Sequence, residues 1–336
     1  MYSVEAVKGA MRVLEPNVSS GDRVSIIGST DVDMKYYQAY LAAAEILDVK
    51  ATLGLMTPRK APGRPAPEEL EAKATSADLA ILTASHSLAH SETAMKVLRA
   101  QRKCITFPVP AGPRRAVEIL IAQGVYSLDK IMEVREINER VARLLDEGST
   151  VSVTSGLGTR LEVSIEGRLS HLWDGKVEEG KHYWSYSSWP PGDAHVSTIE
   201  DSAHGVVAID GYISGLGMPS EPITLTFKDG VMVDIQGGPD VYKVKKIIDS
   251  SKGDAEIFCE VGLGTSPYQE IVNSNGDKYT LGTFHLALGN NASPCFGGLE
   301  PDGKAKSNLH MDLLLIDQVK VLIDKQVVVE KGKLNC

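Results

Sequence analysis

The sequence has few cysteines and no long hydrophobic run. The four cysteines, at positions 104, 259, 295 and 336, form no C-x-x-C pair, so neither a structural zinc cluster nor a thioredoxin motif is expected. Scattered thiols of this kind fit a reducing cytoplasm, where we expect the protein to be located. No stretch of 18 apolar residues occurs, and the first residues have no basic start followed by an apolar run. We therefore expect neither a membrane span nor a signal peptide.

The sequence also lacks an excess of basic residues. Its 336 residues include 35 Lys and Arg against 44 Asp and Glu, which gives a formal charge of −9. Nucleic-acid-binding proteins usually carry a basic patch, so no nucleic-acid partner is expected. Hydrophobic residues make up 43% and charged residues 24% of the chain, which excludes disordered and low-complexity classes. A chain of this length is typical of about two domains and can bury a core without disulfides.

The first 125 residues alternate strand-like and helix-like segments. Strands are predicted at 23–28, 51–55, 77–83 and 104–107, and helices at 33–47, 67–75, 92–100 and 114–123. This order is typical of a parallel sheet with helices on its faces. We therefore expect a flavodoxin-like α/β domain at 1–125, followed by a connecting helix at 126–148. Asp31 or Asp33 is expected to cap the helix after the first strand.

The chain becomes β-rich from residue 149. Paired β-branched segments around Asp-Gly and Gly-Lys turns predict hairpins, and one helix, at 240–250, interrupts them. The expected second domain, at 149–336, is thus of the α+β class and rich in strands. Gly156-Leu157-Gly158 lacks the third glycine of a dinucleotide loop and leads into a strand rather than a helix. No nucleotide cofactor is expected.

Single polar residues interrupt three hydrophobic strands of this second domain. His310 and Asp312, in LHMDLLLI, lie two residues apart and so share one strand face. A buried imidazole and carboxylate need a partner, which is either a metal ion or a hydrogen bond between the two. His285, in GTFHLALG, fits a metal ligand or a core histidine bonded to a carbonyl, and Glu260, in FCEVGLGT, is a lone carboxylate. Together the four offer nitrogen and oxygen ligands suited to zinc, cobalt, manganese or iron.

The second domain resembles the aminopeptidase T family of metallopeptidases. The resemblance is carried, in order, by GTRLEVSIEGR, PPGDAHVSTIEDSAHGVVAIDG, EVGLGTSP, GTFHLALGNN and the closing HMD. The first domain is similar mainly through Ser87-Leu88-Ala89-His90-Ser91. The same superfamily includes the iron-dependent 2,5-dihydroxypyridine 5,6-dioxygenases, which share both domains. The resemblance therefore implies a two-domain metal-dependent enzyme.

The resemblance also implies which residues bind the metal. The positions that match the family's ligand motifs are Asp193, Glu260, His285, His310 and Asp312. In peptidases of this type these ligands hold two metals around a water. The peptidases carry an extra acid just before the Gly-Thr-x-His motif, for which Asp277 is the only nearby candidate, and a tyrosine after His-x-Asp has no counterpart here.

Two reactions fit this ligand set. Three carboxylates beside two histidines favour two metals or one protonated acid, so hydrolysis of an amide or peptide-like small molecule by a zinc, cobalt or manganese enzyme is the preferred interpretation. The alternative is oxygen-dependent cleavage of a hydroxylated aromatic ring at a single iron(II). The dioxygenase branch replaces the residues at the positions of Glu260 and His285, whereas this sequence keeps both. A third alternative is a non-enzymatic binding module. It is disfavoured because it would leave the polar side chains of Glu260 and His285 without a ligand in apolar strands.

His90 is the candidate that the first domain contributes. It follows the third predicted strand, and ligands of such sheets bind beyond the carboxyl ends of the strands. We expect His90 to face a metal site at the junction of the domains, where His90 or Glu260 moves protons; a surface histidine before a helix is the alternative. The expected partners are a small-molecule substrate and further copies of the chain, in a homodimer or larger assembly, with no membrane involved.

Overall fold

The chain folds into two compact units, and neither is one continuous segment. The computed structural model describes residues 3–59, 63–106, 115–178, 185–296 and 301–336. The first unit contains Met1–Glu133 and Trp173–Pro191, and the second contains Val134–Leu172 and Gly192–Cys336. The sequence-based division assigned 173–191 to the β-rich domain. The structure corrects this because a strand in that segment pairs with the sheet of the first unit.

A parallel five-stranded sheet forms the first unit. Its strands are β1 (Arg23–Ser29), β2 (Lys50–Met56), β3 (Leu79–Leu82), β4 (Lys103–Thr106) and β8 (Tyr186–Ser188). Their order is β2-β1-β3-β4-β8, and all four pairings are parallel. The order of a flavodoxin-like sheet is the same, with the fifth position filled here by the returning segment. Phe107, the predicted end of the fourth strand, lies outside the described residues.

Helices precede, separate and follow these strands. In the described part of the chain up to residue 147 they are α1 (Val4–Leu14), α2 (Met34–Ile46), α3 (Glu68–Ser76), α4 (Glu92–Arg99), α5 (Ala116–Ala122) and α6 (Leu128–Glu147). Asp33 caps α2 by accepting a hydrogen bond from the backbone of Lys35 at 2.9 Å. The patterns at 23–123 did not predict α1, which Ser3 caps through the backbone of Ala6. The division between the two units falls within α6.

The larger sheet of the second unit has eight antiparallel strands. They are β5 (Thr150–Thr154), β6 (Arg160–Ser164), β10 (His204–Ile209), β11 (Ile223–Lys228), β12 (Val231–Gly237), β16 (Lys320–Ile323), β17 (Gln326–Glu330) and β18 (Lys333–Leu334). Their order is β12-β11-β10-β6-β5-β16-β17-β18. Asp229 and Gly230 join β11 to β12 with φ of 49° and 75°, as the predicted Asp-Gly hairpin turn requires. The helix α7 (Val241–Asp249) follows β12.

A second, five-stranded sheet carries the predicted metal ligands. Its strands are β7 (His171–Trp173), β9 (Asp193–Ser197), β13 (Phe258–Gly264), β14 (Phe284–Gly289) and β15 (His310–Leu315), in the order β15-β14-β13-β9-β7. Every residue of β9, β13 and β14 is buried. Strands covered on both faces read as nearly continuous hydrophobic runs, which explains why lone polar residues are conspicuous in this part of the sequence. Among the described helices, none has an apolar stretch long enough to cross a bilayer.

Candidate metal centre

Neighbouring strands of the five-stranded sheet place polar side chains on one face. β13 pairs antiparallel with both β9 and β14, and β14 pairs with β15. Within β13, Gly262 is the register partner of His195 on one side and of His285 on the other. Residues two apart on a strand share a face, so Glu260 and Gly262 project to the same side. The register therefore brings polar groups from four strands around the middle of β13.

Glu260 lies at the centre of this arrangement. Its side chain contacts two imidazoles with different oxygens: Oε1 is 3.0 Å from His285 Nε2, and Oε2 is 2.9 Å from His310 Nε2. Glu260 is only 2% exposed and His285 is fully buried. The structure thus places Glu260 in direct contact with two other residues predicted from sequence, His285 and His310.

Asp193 and His195 form one side of the site. His195 Nδ1 lies 3.1 Å from Asp193 Oδ2, and His285 Nε2 lies 4.0 Å from the same oxygen. Asp193 was predicted, whereas His195 was not. The sequence did contain an indication of His195, in the segment DAHVS. His195 follows Asp193 by two positions, and residues two apart on a strand share a face.

Asp312 and Lys278 form the other side. Asp312 Oδ1 is 3.0 Å from Lys278 Nζ and 3.6 Å from His310 Nε2, and Asp312 Oδ2 is 3.3 Å from Ser214 Oγ. Burial lowers the pKa of Lys278, but the charge of Asp312 outweighs this and holds that pKa well above its usual value. Lys278 was not predicted, since it occurs in a polar segment, NSNGDKY, where nothing local signals burial. We call Asp193, His195, Glu260, His285, His310 and Asp312 the Glu260 cluster.

A short 3-10 helix, Asn275–Tyr279, positions Lys278. Ser274 begins it with a capping box, in which Ser274 Oγ accepts from the backbone of Gly276 and Asp277 Oδ2 accepts from the backbone of Ser274. Asp277 was the nearest candidate for the peptidases' extra acid. Its carboxylate instead caps this turn, and the next residue brings a positive charge to Asp312.

The backbone around Lys278 packs tightly against β13. Thr283 Oγ1 donates to the carbonyl of Lys278 at 3.1 Å. A Cβ on Gly264 would lie 2.0 Å from the carbonyl oxygen of Thr280 and 2.7 Å from that of Lys278. Glycine at 264 therefore permits this close approach, which fixes where the Lys278 side chain starts.

Electrostatics keep the central carboxylate ionised. Burial raises the pKa of Glu260, but the neighbouring imidazoles of His195, His285 and His310 outweigh it and hold that pKa well below its usual value. Burial lowers the pKa of His310, yet its hydrogen bonds, the largest with Asp312, raise that pKa well above its usual value. A metal must displace protons from such imidazoles, so binding an ion here releases protons.

The donor atoms fit a divalent ion. Two groups of three offer ligand atoms that all lie within 4.8 Å of one another: Asp193, His195 and Glu260, and Glu260, His285 and Asp312. Asp193 Oδ1 and His285 Nδ1 are buried with no hydrogen-bond partner among the described residues. A buried carboxylate oxygen without a partner is costly, and a bound cation would satisfy it.

His310 has the orientation of a metal-binding histidine. Its Nδ1 is 2.8 Å from the carbonyl oxygen of Asn290, to which it donates. Ligand histidines commonly bind the metal through one nitrogen and donate the other N–H to a carbonyl. The contact leaves Nε2, which is directed at Glu260, as the candidate ligand atom.

His90 belongs to the first unit, between β3 and α4, and is partly exposed. The next residue, Ser91, caps α4 by accepting from the backbone of Ala94 at 3.4 Å. All the donors of the Glu260 cluster belong to the second unit. The approach of His90 to the metal donors stays a prediction.

Two solved structures resemble this fold over nearly the whole chain. The 2,5-dihydroxypyridine dioxygenase from Pseudomonas putida KT2440 has a TM-score of 0.77 and 17% identity, and the match covers 98% of this chain and 97% of that one. AmpT from Thermus thermophilus has a TM-score of 0.69 and 14% identity, and the match covers 99% of each chain. At these identities the likeness establishes a shared fold.

Sequence comparison assigns the family. Comparison of the sequence with curated proteins finds no match. The profile of the NicX family, 2,5-dihydroxypyridine 5,6-dioxygenase, matches residues 7–336. Because this match spans almost the entire sequence, the chain belongs to the 2,5-dihydroxypyridine 5,6-dioxygenase family.

Proposed function

We propose that this chain is an iron(II)-dependent dioxygenase that cleaves a hydroxylated aromatic ring. The observation that carries the proposal is the family match over residues 7–336. It favours the alternative reaction of the sequence analysis over the preferred one, amide hydrolysis. The proposed substrate class is an electron-rich heterocycle with two ring hydroxyls, as in the dihydroxypyridine of the family's description.

The Glu260 cluster is the proposed iron site. Its candidate ligands are the predicted set, Asp193, Glu260, His285, His310 and Asp312, with His195 as a further donor. Imidazole and carboxylate groups suit iron(II), and oxygenase sites typically combine two histidines with one carboxylate. When bound, iron(II) supplies open coordination positions for a hydroxylated ring and oxygen.

Residues of the site also transfer protons during the proposed reaction. A ring hydroxyl must lose its proton before the ring becomes reactive, and the Glu260 carboxylate can accept that proton. Burial of Glu260 keeps water away from this proton transfer. We propose His90 as a further proton carrier, contributed by the first unit.

Amide hydrolysis is the second candidate, and one observation favours it. Glu260 reaches different histidines with its two oxygens, as a carboxylate between two metal ions does. A hydrolase would use Glu260 as the base that takes a proton from water.

An oxygen-dependence assay separates the two candidates. Protein loaded with Fe²⁺ is given 2,5-dihydroxypyridine, related dihydroxylated rings, amides and dipeptides, with and without oxygen. We expect ring cleavage that consumes an equimolar amount of oxygen and stops when Fe²⁺ or oxygen is withheld. Glu260→Gln should abolish it, whereas His204→Ala, at an exposed histidine of the same unit, should not. Amide turnover that persists anaerobically with Zn²⁺, Co²⁺ or Mn²⁺, without ring cleavage, would overturn the proposal.

A further inference from the structure

A buried ammonium group lies beside the candidate metal ligands. Lys278 Nζ is 3.0 Å from Asp312 Oδ1, and the two residues are only 5% and 8% exposed. We infer, on the basis of the metal centre proposed above, that Lys278 takes the place of a second metal ion. The Glu260 cluster then binds one divalent ion rather than two.

The arrangement of donors alone offers two ion positions. One group of ligand atoms comes from Asp193, His195 and Glu260, and the other from Glu260, His285 and Asp312. Glu260 is common to both, and its two oxygens point to different histidines. Geometry therefore does not limit the number of ions, and charge must do so.

The charge of the site matches a single divalent ion. Three buried carboxylates, those of Asp193, Glu260 and Asp312, contribute three negative charges, and Lys278 contributes one positive charge. Histidines bind metals in their neutral form. One divalent ion then brings the site to neutrality, whereas a second ion would leave two uncompensated positive charges in a buried environment, which is strongly unfavourable.

The contacts of Asp312 lead to the same result. Its Oδ1 faces Lys278 Nζ, and its Oδ2 lies 3.3 Å from Ser214 Oγ. An additional ion at this carboxylate would have to approach the ammonium closely or displace it. Displacement is resisted because the Lys278 backbone is fixed by Thr283 and by its close packing against Gly264.

A single ion has a functional consequence. A ring-cleaving oxygenase needs one ion with open positions. By limiting the cluster to one ion, Lys278 makes this carboxylate-rich ligand set compatible with oxygenase chemistry. In this role Lys278 is a positioning residue that sets the number of ions.

Metal counting tests the inference. Metal-free protein is saturated with Mn²⁺ and desalted, bound manganese per chain is measured by mass spectrometry, and the electron paramagnetic resonance spectrum is recorded. The variants are Lys278→Met, which removes the charge at similar size, Lys278→Arg, which retains it, and Lys320→Met. Lys320 is a matched control because its ion pair with Glu330 is exposed.

The expected result is one Mn²⁺ per chain, with an isolated-ion spectrum, in the wild type, Lys278→Arg and Lys320→Met. Lys278→Met should take up two ions and show the spectrum of a coupled pair. Two ions in the wild type, or one ion in a folded Lys278→Met protein, would overturn the inference while leaving the metal centre in place. If Lys278→Met fails to fold, Lys278→Gln, which also removes the charge, is counted in its place. No bound ion in the wild type would overturn the proposed centre itself.

Discussion

Gly262 and His285 are register partners on adjacent strands, and a Cβ on Gly262 would lie 2.1 Å from His285 Cε1. The imidazole of His285 therefore occupies the space that any larger residue at 262 would fill. The same Cβ would also lie 3.0 Å from the Cβ of His195. The absence of a side chain at this one position allows histidines from the two flanking strands to converge next to Glu260.

Gly262→Ala should weaken metal binding because the new methyl group forces His285 away from Glu260. Shifting groups that orient ligands typically costs about 10–100-fold in metal affinity, and we expect a loss of this size for Mn²⁺ measured by titration calorimetry. Gly124→Ala is the control, since the nearest atom that a Cβ there would meet among the described residues is Gly9 N at 4.0 Å. Unchanged affinity in Gly262→Ala would show that His285 is not a ligand.

His310→Gln should release the ion before it disrupts the fold. The side chain would lose the nitrogen that faces Glu260, 2.9 Å away, and an oxygen or amide group is a poorer ligand for iron(II) than imidazole. We expect metal content to fall at least about tenfold while circular dichroism stays the same. His204→Gln, at an exposed histidine, should keep its metal. Full metal content in His310→Gln would remove His310 from the ligand set.

His90→Ala should lower turnover by about 10²-fold or more while metal content stays at the wild-type value. The expected reason is loss of a proton-transfer group, which typically contributes 10²–10⁴-fold to a rate. The measurement is kcat together with metal per chain, with His204→Ala assayed in parallel. Equal kcat in wild type and variant would favour the interpretation of His90 as a surface histidine before α4.

Asp78 should make stability depend on pH in the acid range. Its carboxylate accepts hydrogen bonds from the backbone and side chain of Arg23, and these contacts lower its pKa to about 2. The unfolded value is about 4, so the stabilisation is present above pH ~4 and is lost as the pH falls towards 2.

Asp78→Asn should therefore reduce the fall in stability between pH ~4 and ~2. Because the pair is partly exposed, we expect an effect below about 1 kcal/mol, measured by urea unfolding at several pH values. Asp229→Asn, at an exposed carboxylate, should leave the slope as in the wild type. An unchanged slope in Asp78→Asn would mean that the Arg23 contact does not favour the ionised carboxyl group.

Local sequence patterns predicted much of the secondary structure. Period-two and period-3.6 spacing of apolar residues indicated β1, the helices α2 and α6, and the Asp-Gly hairpin between β11 and β12, because each of these elements depends on its own residues. The lone polar residues in β13, β14 and β15 were equally visible. A carboxylate or imidazole in a buried strand needs a partner, so the sequence alone indicated that these residues meet something charged.

Long-range pairing decided the rest. No local pattern shows that β8 joins β4, about 80 residues earlier in the chain, because parallel pairing leaves no turn signal in the sequence. Strand periodicity places His195 on the same face as Asp193, but only the register of β9 against β13 brings that face to Glu260. Lys278 is the clearest case: its segment is polar and would suit a solvated turn, and only packing against β13 buries its ammonium beside Asp312. The sequence by itself determined that the lone polar residues of β13, β14 and β15 lie in hydrophobic strands. The tertiary structure decided which of them share one site and with what balance of charge, because both depend on distances between residues far apart in the chain.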